Sequence, residues 1–305
     1  MIKIAGVNSP VITIMEDTGK IDKQAMERHI DHLAASGLNG LLILGSLGEF
    51  YAFSLPEKKE LVDLAVSAAK GRSKVIVGVG STSLEDTLEL AHYAEKAGAD
   101  ALNVVAPYYF APSEAAMVEY FGRIAGAVKL PIQLYNFPAR VGGDITPGVL
   151  TALAERHENI VSIKDTVDNI SHTRSLIRAV KAVRPDFTVL SGFDEYYLVN
   201  RASGGDGVLC GLTNVVPELF VAYHGAYEAG DFGKTMAYAQ KISRLMEIYT
   251  LTDLFVVAVK AAVKAVSGLP MSTFTRMPGL PLQEEESARI AALLKEVLGE
   301  EAVRA

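Results

Sequence analysis

Lysine is the side chain whose amine, once neutral, condenses with a ketone, and Lys164 stands where that chemistry is possible. It follows the apolar run Val161-Ser162-Ile163. If the run is a strand, period-two alternation puts Ser162 and Lys164 on one face. An amine on the interior face of a closed sheet loses hydration, which favours its neutral form. A neutral amine attacks a ketone to give a Schiff base, whose iminium nitrogen withdraws electrons from the neighbouring carbon. The competing assignment is a strand-end lysine paired with a carboxylate, Asp165 being the adjacent one. Tyr135 lies at the end of the preceding apolar run, Pro131–Asn136. Adjacent strand ends would bring phenol and amine over one opening. A phenol there can relay protons to and from the carbinolamine, and later from a substrate hydroxyl. Taken alone, such a tyrosine also fits a core ring with its hydroxyl capped.

A third feature is Gly45-Ser46-Leu47-Gly48-Glu49, which follows another apolar run. It is not a P-loop, because no Lys-Ser/Thr follows at the required spacing. Small residues after a strand still expose consecutive backbone N–H groups, which suits a carboxylate. Gly78-Val79-Gly80 lacks the third glycine of a dinucleotide fingerprint and reads as barrel packing. The six histidines offer no metal-ligand spacing: His29 and His32 fall on a polar helical segment and the others are isolated. Cys210, the single cysteine, sits in Val208-Leu209-Cys210 and reads as a small core residue.

These residues need a scaffold. Eight apolar runs predict strands at Val11–Met15, Gly40–Leu44, Lys74–Val79, Ala101–Ala106, Pro131–Asn136, Ile160–Lys164, Phe187–Leu190 and Gly207–Gly211. Between them, 3.6-residue periodicity predicts helices such as Lys23–Ser36, Pro56–Lys70, Leu84–Ala97 and Glu114–Val128. Ser54-Leu55-Pro56-Glu57 and Ser83-Leu84-Glu85-Asp86 mark helix starts. Glycine-rich junctions at 36–40, 97–101 and 203–207 end one helix and open the next strand. Strand followed by helix, repeated, is the pattern of parallel βαβ units. The expected fold is a (β/α)8 barrel over residues 1–225, with an open doubly wound sheet as the structural alternative. Residues 226–305 are helical by pattern (Phe232–Tyr249, Thr252–Ser267, Glu285–Leu298) and predict a C-terminal helical appendage. In a barrel the active site lies at the C-terminal ends of the strands, where Lys164, Tyr135 and the Gly45–Glu49 loop all fall.

Composition narrows the function classes. Twenty-nine Lys+Arg against 36 Asp+Glu give a net charge of −7 without a basic cluster, so nucleic acid is not an expected partner. The apolar run Leu254–Val266 is interrupted by Lys260 and Lys264, four apart on one helix face, as in a soluble amphipathic helix. No membrane span is expected, and the first residues lack the apolar stretch of a signal peptide. A single cysteine fits a reducing cytoplasm.

Gly45-Ser46-Leu47-Gly48-Glu49, Tyr135-Asn136-Phe137-Pro138 and Ile163-Lys164-Asp165 together resemble the dihydrodipicolinate synthase/N-acetylneuraminate lyase superfamily. Pro107-Tyr108-Tyr109 and Gly204-Gly205-Asp206-Gly207-Val208 extend the resemblance over nearly the whole chain. It implies a (β/α)8 barrel with C-terminal helices, a tetramer built from two tight dimers, and pyruvate chemistry through a lysine Schiff base without metal or organic cofactor. By that resemblance Lys164 matches the Schiff-base lysine and Tyr135 the proton-relaying tyrosine. Ser46 and the backbone amides of Ser46 and Leu47 match a clamp on the pyruvate carboxylate. Gly192 and Leu209 match positions lining the pyruvate pocket. Tyr109 matches a tyrosine that in synthases reaches into the neighbouring subunit's site, and Arg140 an arginine that grips the carboxylate of aspartate semialdehyde.

One position departs from the synthases. They carry a relay hydroxyl where this chain has Leu47, and the motif wording is closer to 2-keto-3-deoxygluconate-type aldolases. The leading expectation is therefore a class I lyase acting on a 2-keto-3-deoxy sugar acid or related 2-oxo acid. Dihydrodipicolinate synthase and a sugar-acid dehydratase are the enzymatic alternatives. A catalytically silent barrel that binds pyruvate-like ligands is the alternative of a different class, and the presence of both Lys164 and Tyr135 argues against it.

Overall fold

The computed structural model describes residues 2–304. Among these, eight parallel strands close into a barrel in chain order. They are β1 (Gly6–Pro10), β2 (Gly40–Ile43), β3 (Lys74–Gly78), β4 (Ala101–Val105), β5 (Ile132–Asn136), β6 (Ile160–Asp165), β7 (Thr188–Ser191) and β8 (Gly207–Leu209). Helices α1 (Lys23–Ala35), α2 (Leu55–Ala69), α3 (Leu84–Ala97) and α4 (Glu114–Ala127) wrap the first half. The single turn α5 (Pro138–Val141), then α6 (Pro147–Arg156), α7 (Ile170–Val183), α8 (Tyr197–Ala202) and α9 (Pro217–Glu228), wrap the second. Beyond them α10 (Phe232–Leu245), α11 (Phe255–Ser267) and α12 (Glu284–Leu298) form a C-terminal layer, α10 packing on α9 and α12 on both α10 and α11.

Local signals explain the element ends. Ser83 Oγ accepts the Asp86 N–H at 3.2 Å, and Glu85 and Asp86 place negative charge at the N-terminus of α3. Ser54 and Glu57 form a capping box on α2 with Pro56 in the first turn. At the three helix-to-strand junctions Gly37, Gly98 and Gly204 are left-handed (φ 93, 93 and 87), a conformation that a Cβ penalises.

The barrel interior carries a polar chain in an apolar surround. Asn103 Nδ2 donates to Gln133 Oε1 at 2.9 Å and Gln133 Nε2 to Ser162 Oγ at 3.1 Å, linking β4, β5 and β6. Leu42, Ile76, Leu190 and Leu209 are buried in one apolar cluster beside it. Between β5 and β6 the register slips: Ile132 faces Ile160 but Gln133 faces Ser162. The extra residue puts Lys164, rather than Ile163, opposite Tyr135.

Three expectations are corrected. The first strand is Gly6–Pro10, not Val11–Met15. The more β-branched segment is buried but runs past the sheet, with Ile12 N–H donating to Asn214 Oδ1 and Ile14 N–H to Met26 Sδ instead of to a ladder. Strand identity follows the partner, and β1 pairs with β2 and β8 through residues that pattern alone ranks low. Lys260 does not share a solvated face with Lys264; it is fully buried on α11, ion-paired to Glu49. His29 is likewise buried rather than on a polar face, bonded to Asn214 at 3.1 Å, and burial pushes its imidazole down to about 4.

Candidate active site

The register slip sets Tyr135 and Lys164 side by side at the C-terminal ends of β5 and β6. The two residues are 4% and 6% exposed, and Lys164 Nζ lies 4.4 Å from the Tyr135 ring centroid. Ser46, from the loop after β2, brings its Oγ to 3.3 Å from the Tyr135 hydroxyl. All three open onto one cavity of about 640 Å³. Leu47, Phe137, Arg140, Thr166 and Gly192 line it from the barrel, and Met246, Tyr249 and Phe255 close it from the C-terminal layer. A largely apolar hollow with a few convergent polar groups is what a small-molecule site requires.

Lys164 is not paired with Asp165. Alternation sends Asp165 to the opposite face, where Thr173 Oγ1 and Asn136 Nδ2 donate to it at 2.6 and 2.9 Å. His172 Nδ1 lies 3.0 Å from the same carboxylate and His172 Nε2 lies 3.1 Å from Asp144. The hydrogen bonds to Asp144 and then to Asp165 raise this imidazole to about 10, so it is a cation at neutral pH, and His172 holds Asp144 below the usual carboxylate range. Asn136 Nδ2 also donates to Asp144 Oδ1 at 2.9 Å. Asn136 follows Tyr135 and Asp165 follows Lys164, so one network braces both residues from behind. His172, isolated by sequence spacing, is central to it.

The carboxylate-suited loop is bent at both ends. Leu44 (φ 61) and Glu49 (φ 53) are left-handed, and Thr13 Oγ1 donates to the Gly48 carbonyl at 2.8 Å. Among the described residues, the backbone N–H groups of Ser46 and Leu47 have no protein acceptor, and both residues line the cavity. Opposite them, Gly192 has to be glycine, since a Cβ would overlap Thr166 Oγ1 and come within 3.1 Å of Lys164 Cε.

Arg140 stands at the mouth, its guanidinium carbon 4.7 Å from the Phe137 ring centroid and 4.6 Å from that of Phe255. Leu209 lies in the buried apolar cluster and does not line the cavity. Tyr109 is left-handed (φ 86), 88% exposed and packed edge-to-face on Phe110, away from this chain's cavity.

Sequence reasoning assigns no role to Thr166 and Asp194, at the ends of strands six and seven, and does not find Tyr249; all three line the cavity. Thr166 is two positions beyond Lys164 and so on its face; its buried Oγ1 has no protein partner. Asp194, after β7, accepts from Leu212 N–H and from Tyr249 Oη–H, each at 2.8 Å. Burial raises both the Asp194 carboxyl and the Tyr249 phenol, and keeps the Cys210 thiol protonated beside them. Alternation could have found Thr166. Nothing local to Tyr249 predicts that a residue of the C-terminal layer reaches the barrel mouth.

Three comparisons with known proteins bear on this site. Residues 3–297 match the model of the dihydrodipicolinate synthetase family. The chain is 38% identical over 292 residues to the putative 2-dehydro-3-deoxy-D-gluconate aldolase YagE of Escherichia coli, covering 96% of each chain. It is also 38% identical to the probable 2-dehydro-3-deoxy-D-pentonate aldolase YjhH of the same organism, covering 96% of this chain and 97% of that one. A 4-hydroxy-tetrahydrodipicolinate synthase of Agrobacterium fabrum is 37% identical over 238 residues, covering 77% of this chain and 79% of that one. The crystal structure of YagE in complex with pyruvate superposes with a TM-score of 0.94, covering 96% of this chain and 98% of that one. The chain belongs to the dihydrodipicolinate synthetase family.

Proposed function

We propose that the chain is a class I pyruvate-dependent aldolase, a carbon–carbon lyase that cleaves or forms a 2-keto-3-deoxy sugar acid or related 2-oxo acid. The observation that carries this reading is Tyr135 and Lys164 in register on one cavity, with Leu47 rather than a second hydroxyl beside Ser46 in the loop after β2. The aldolase names of YagE and YjhH, and the pyruvate bound to YagE, support it.

Lys164 Nζ attacks the C2 ketone, and loss of water gives the iminium. Tyr135 Oη–H gives its proton to the departing carbinolamine hydroxyl and then takes one back from the C4 hydroxyl; the C3–C4 bond breaks, its electrons pass to the iminium as an enamine, and an aldehyde leaves. Protonation at C3 and hydrolysis release pyruvate and restore the amine. Ser46 Oγ with the free N–H groups of Ser46 and Leu47 holds the substrate carboxylate, and Gly192 leaves room beside the amine. Thr166 and Asp194 face the hydroxyls of the aldehyde part. The chemistry needs no metal or organic cofactor. The working form is a cytoplasmic homotetramer, a dimer of dimers, with the exposed Tyr109–Phe110 pair as one candidate contact.

Arg140 favours one second reading, a synthase joining pyruvate to aspartate semialdehyde, because its planar fork suits a second carboxylate. Borohydride added with pyruvate tests the shared covalent step: it should inactivate the enzyme and leave a reduced adduct on Lys164, and Lys164→Ala should lose adduct and turnover together. An adduct on another lysine, or none, overturns the mechanism. A panel of keto-deoxy acids assayed against pyruvate plus aspartate semialdehyde then separates the two readings.

A further inference from the structure

Glu49 closes the β2 loop and its carboxylate is fully buried. Its Oε1 accepts from Lys260 Nζ of α11 at 2.6 Å, its Oε2 from the Arg276 backbone N–H at 3.0 Å, and Lys260 Nζ also donates to the Phe274 carbonyl at 2.6 Å. Both members of the ion pair are 0% exposed. Burial lowers the proton affinity of Lys260, while the Glu49 charge opposes that effect. Outside the pair, the Arg276 guanidinium lies on Glu57 and donates to the Gly19 and Ala52 carbonyls at 2.9 and 2.8 Å. Neither Glu49 nor Lys260 lines the cavity.

A wholly buried ion pair is a poor device for stability, because apolar residues of similar volume commonly do as well. Apolar residues cannot, however, fix the direction of two carboxylate oxygens. Here that direction sets the backbone. Glu49 is held left-handed, and its N–H donates at 3.2 Å to the Ser46 carbonyl, which shares one planar peptide group with the N–H of Leu47.

We infer that Glu49 and Lys260 are positioning residues for substrate-carboxylate binding. The pair, reaching in from the C-terminal layer, sets the curvature that presents Ser46 Oγ and the Ser46 and Leu47 N–H groups to the cavity. This assignment rests on the carboxylate-clamp reading above, and it gives residues of the C-terminal layer a role in affinity for the keto acid.

The test uses pyruvate-dependent borohydride trapping of the full-length protein, read as half-saturating pyruvate and limiting rate. In the double variant Glu49→Leu/Lys260→Met, which leaves no charge behind, melting should stay close to that of the parent. Half-saturating pyruvate should rise at least about tenfold while the limiting rate stays within about threefold, the signature of lost binding rather than lost chemistry. Glu49→Gln keeps the volume but turns an amide donor toward either Lys260 Nζ or the Arg276 N–H, and should raise half-saturation about threefold. If the double variant does not fold, Glu49→Gln decides. Parental half-saturation in the folded variants, or a fall in limiting rate alone, overturns the assignment while leaving the Schiff base intact. Absence of trapping in the parent protein removes the Schiff-base reading and this assignment with it.

Discussion

The two flanks of the active-site mouth are braced by charge in different ways. On the β2 flank, Glu49 and Lys260 are sealed from water and each is matched by the other. On the β5/β6 flank, an imidazolium is shared between two carboxylates, and only Asp165 of the three is fully buried; Asp144 reaches solvent. A sealed pair has no solvent to fall back on when one member is removed, whereas a half-open triad can rehydrate. The sealed brace backs the loop to which the carboxylate clamp is assigned above. The open one backs two strand ends already held by the ladder. The difference teaches that the strength of a brace against single substitutions follows from its burial more than from its charge count.

The sharpest way to break the contrast is Lys260→Met, which leaves Glu49 charged and enclosed. It should cost about 3–5 kcal/mol in chemical denaturation, the usual penalty for stripping one partner from a buried pair. Removing both members should return most of that loss, and an equally destabilised double variant would end the argument for the pair as a device of geometry.

On the open flank, His172→Asn should cost less, about 1–3 kcal/mol, because Asp165 keeps its Thr173 and Asn136 donors. This flank also carries a pH signature. The imidazole is raised to about 10 in the folded chain, first by Asp144 and then by Asp165, from an ordinary value of 6.5. A group raised on folding stabilises fully below its unfolded value, and that contribution disappears as pH climbs through the folded one. Melting temperature should therefore fall between about pH 7 and 10, at about 2–4 °C for each kcal/mol lost. His172→Asn should flatten that fall, and an equal slope in both proteins would mean that the imidazolium is not what holds this flank.

The smallest effect sharpens the β2 side. With Leu47 in the loop, cleavage of a 2-keto-3-deoxy acid should exceed condensation of pyruvate with aspartate semialdehyde by at least about tenfold in kcat/KM, near 1.4 kcal/mol. Leu47→Thr should narrow that gap without touching melting. Efficient synthesis by the parent chain, with no keto-deoxy acid cleaved, would replace the aldolase by the synthase.

Much of this was legible in residue order. Periodicity and glycine junctions specify eight βα units because each unit's pattern is local, and alternation along 161–164 sends Lys164 inward for the same reason. The small residues of the β2 loop already mark a stretch of exposed N–H groups, and Ser46 and Leu47 line the cavity. Other features depend on partners distant in the chain. A strand candidate at 11–15 looks better than 6–10 until β8 returns to pair with the latter. Lys260 and Lys264 look alike until the fold brings Glu49, 211 positions away, against one of them. Tyr135 meets Lys164 through a one-residue slip between two strands, and no property of either strand alone encodes that slip. Local order determined which residues could do chemistry, since composition and period act over a few positions. Tertiary structure decided which of them meet, because register, burial and charge pairing are properties of surfaces that exist only once the barrel has closed.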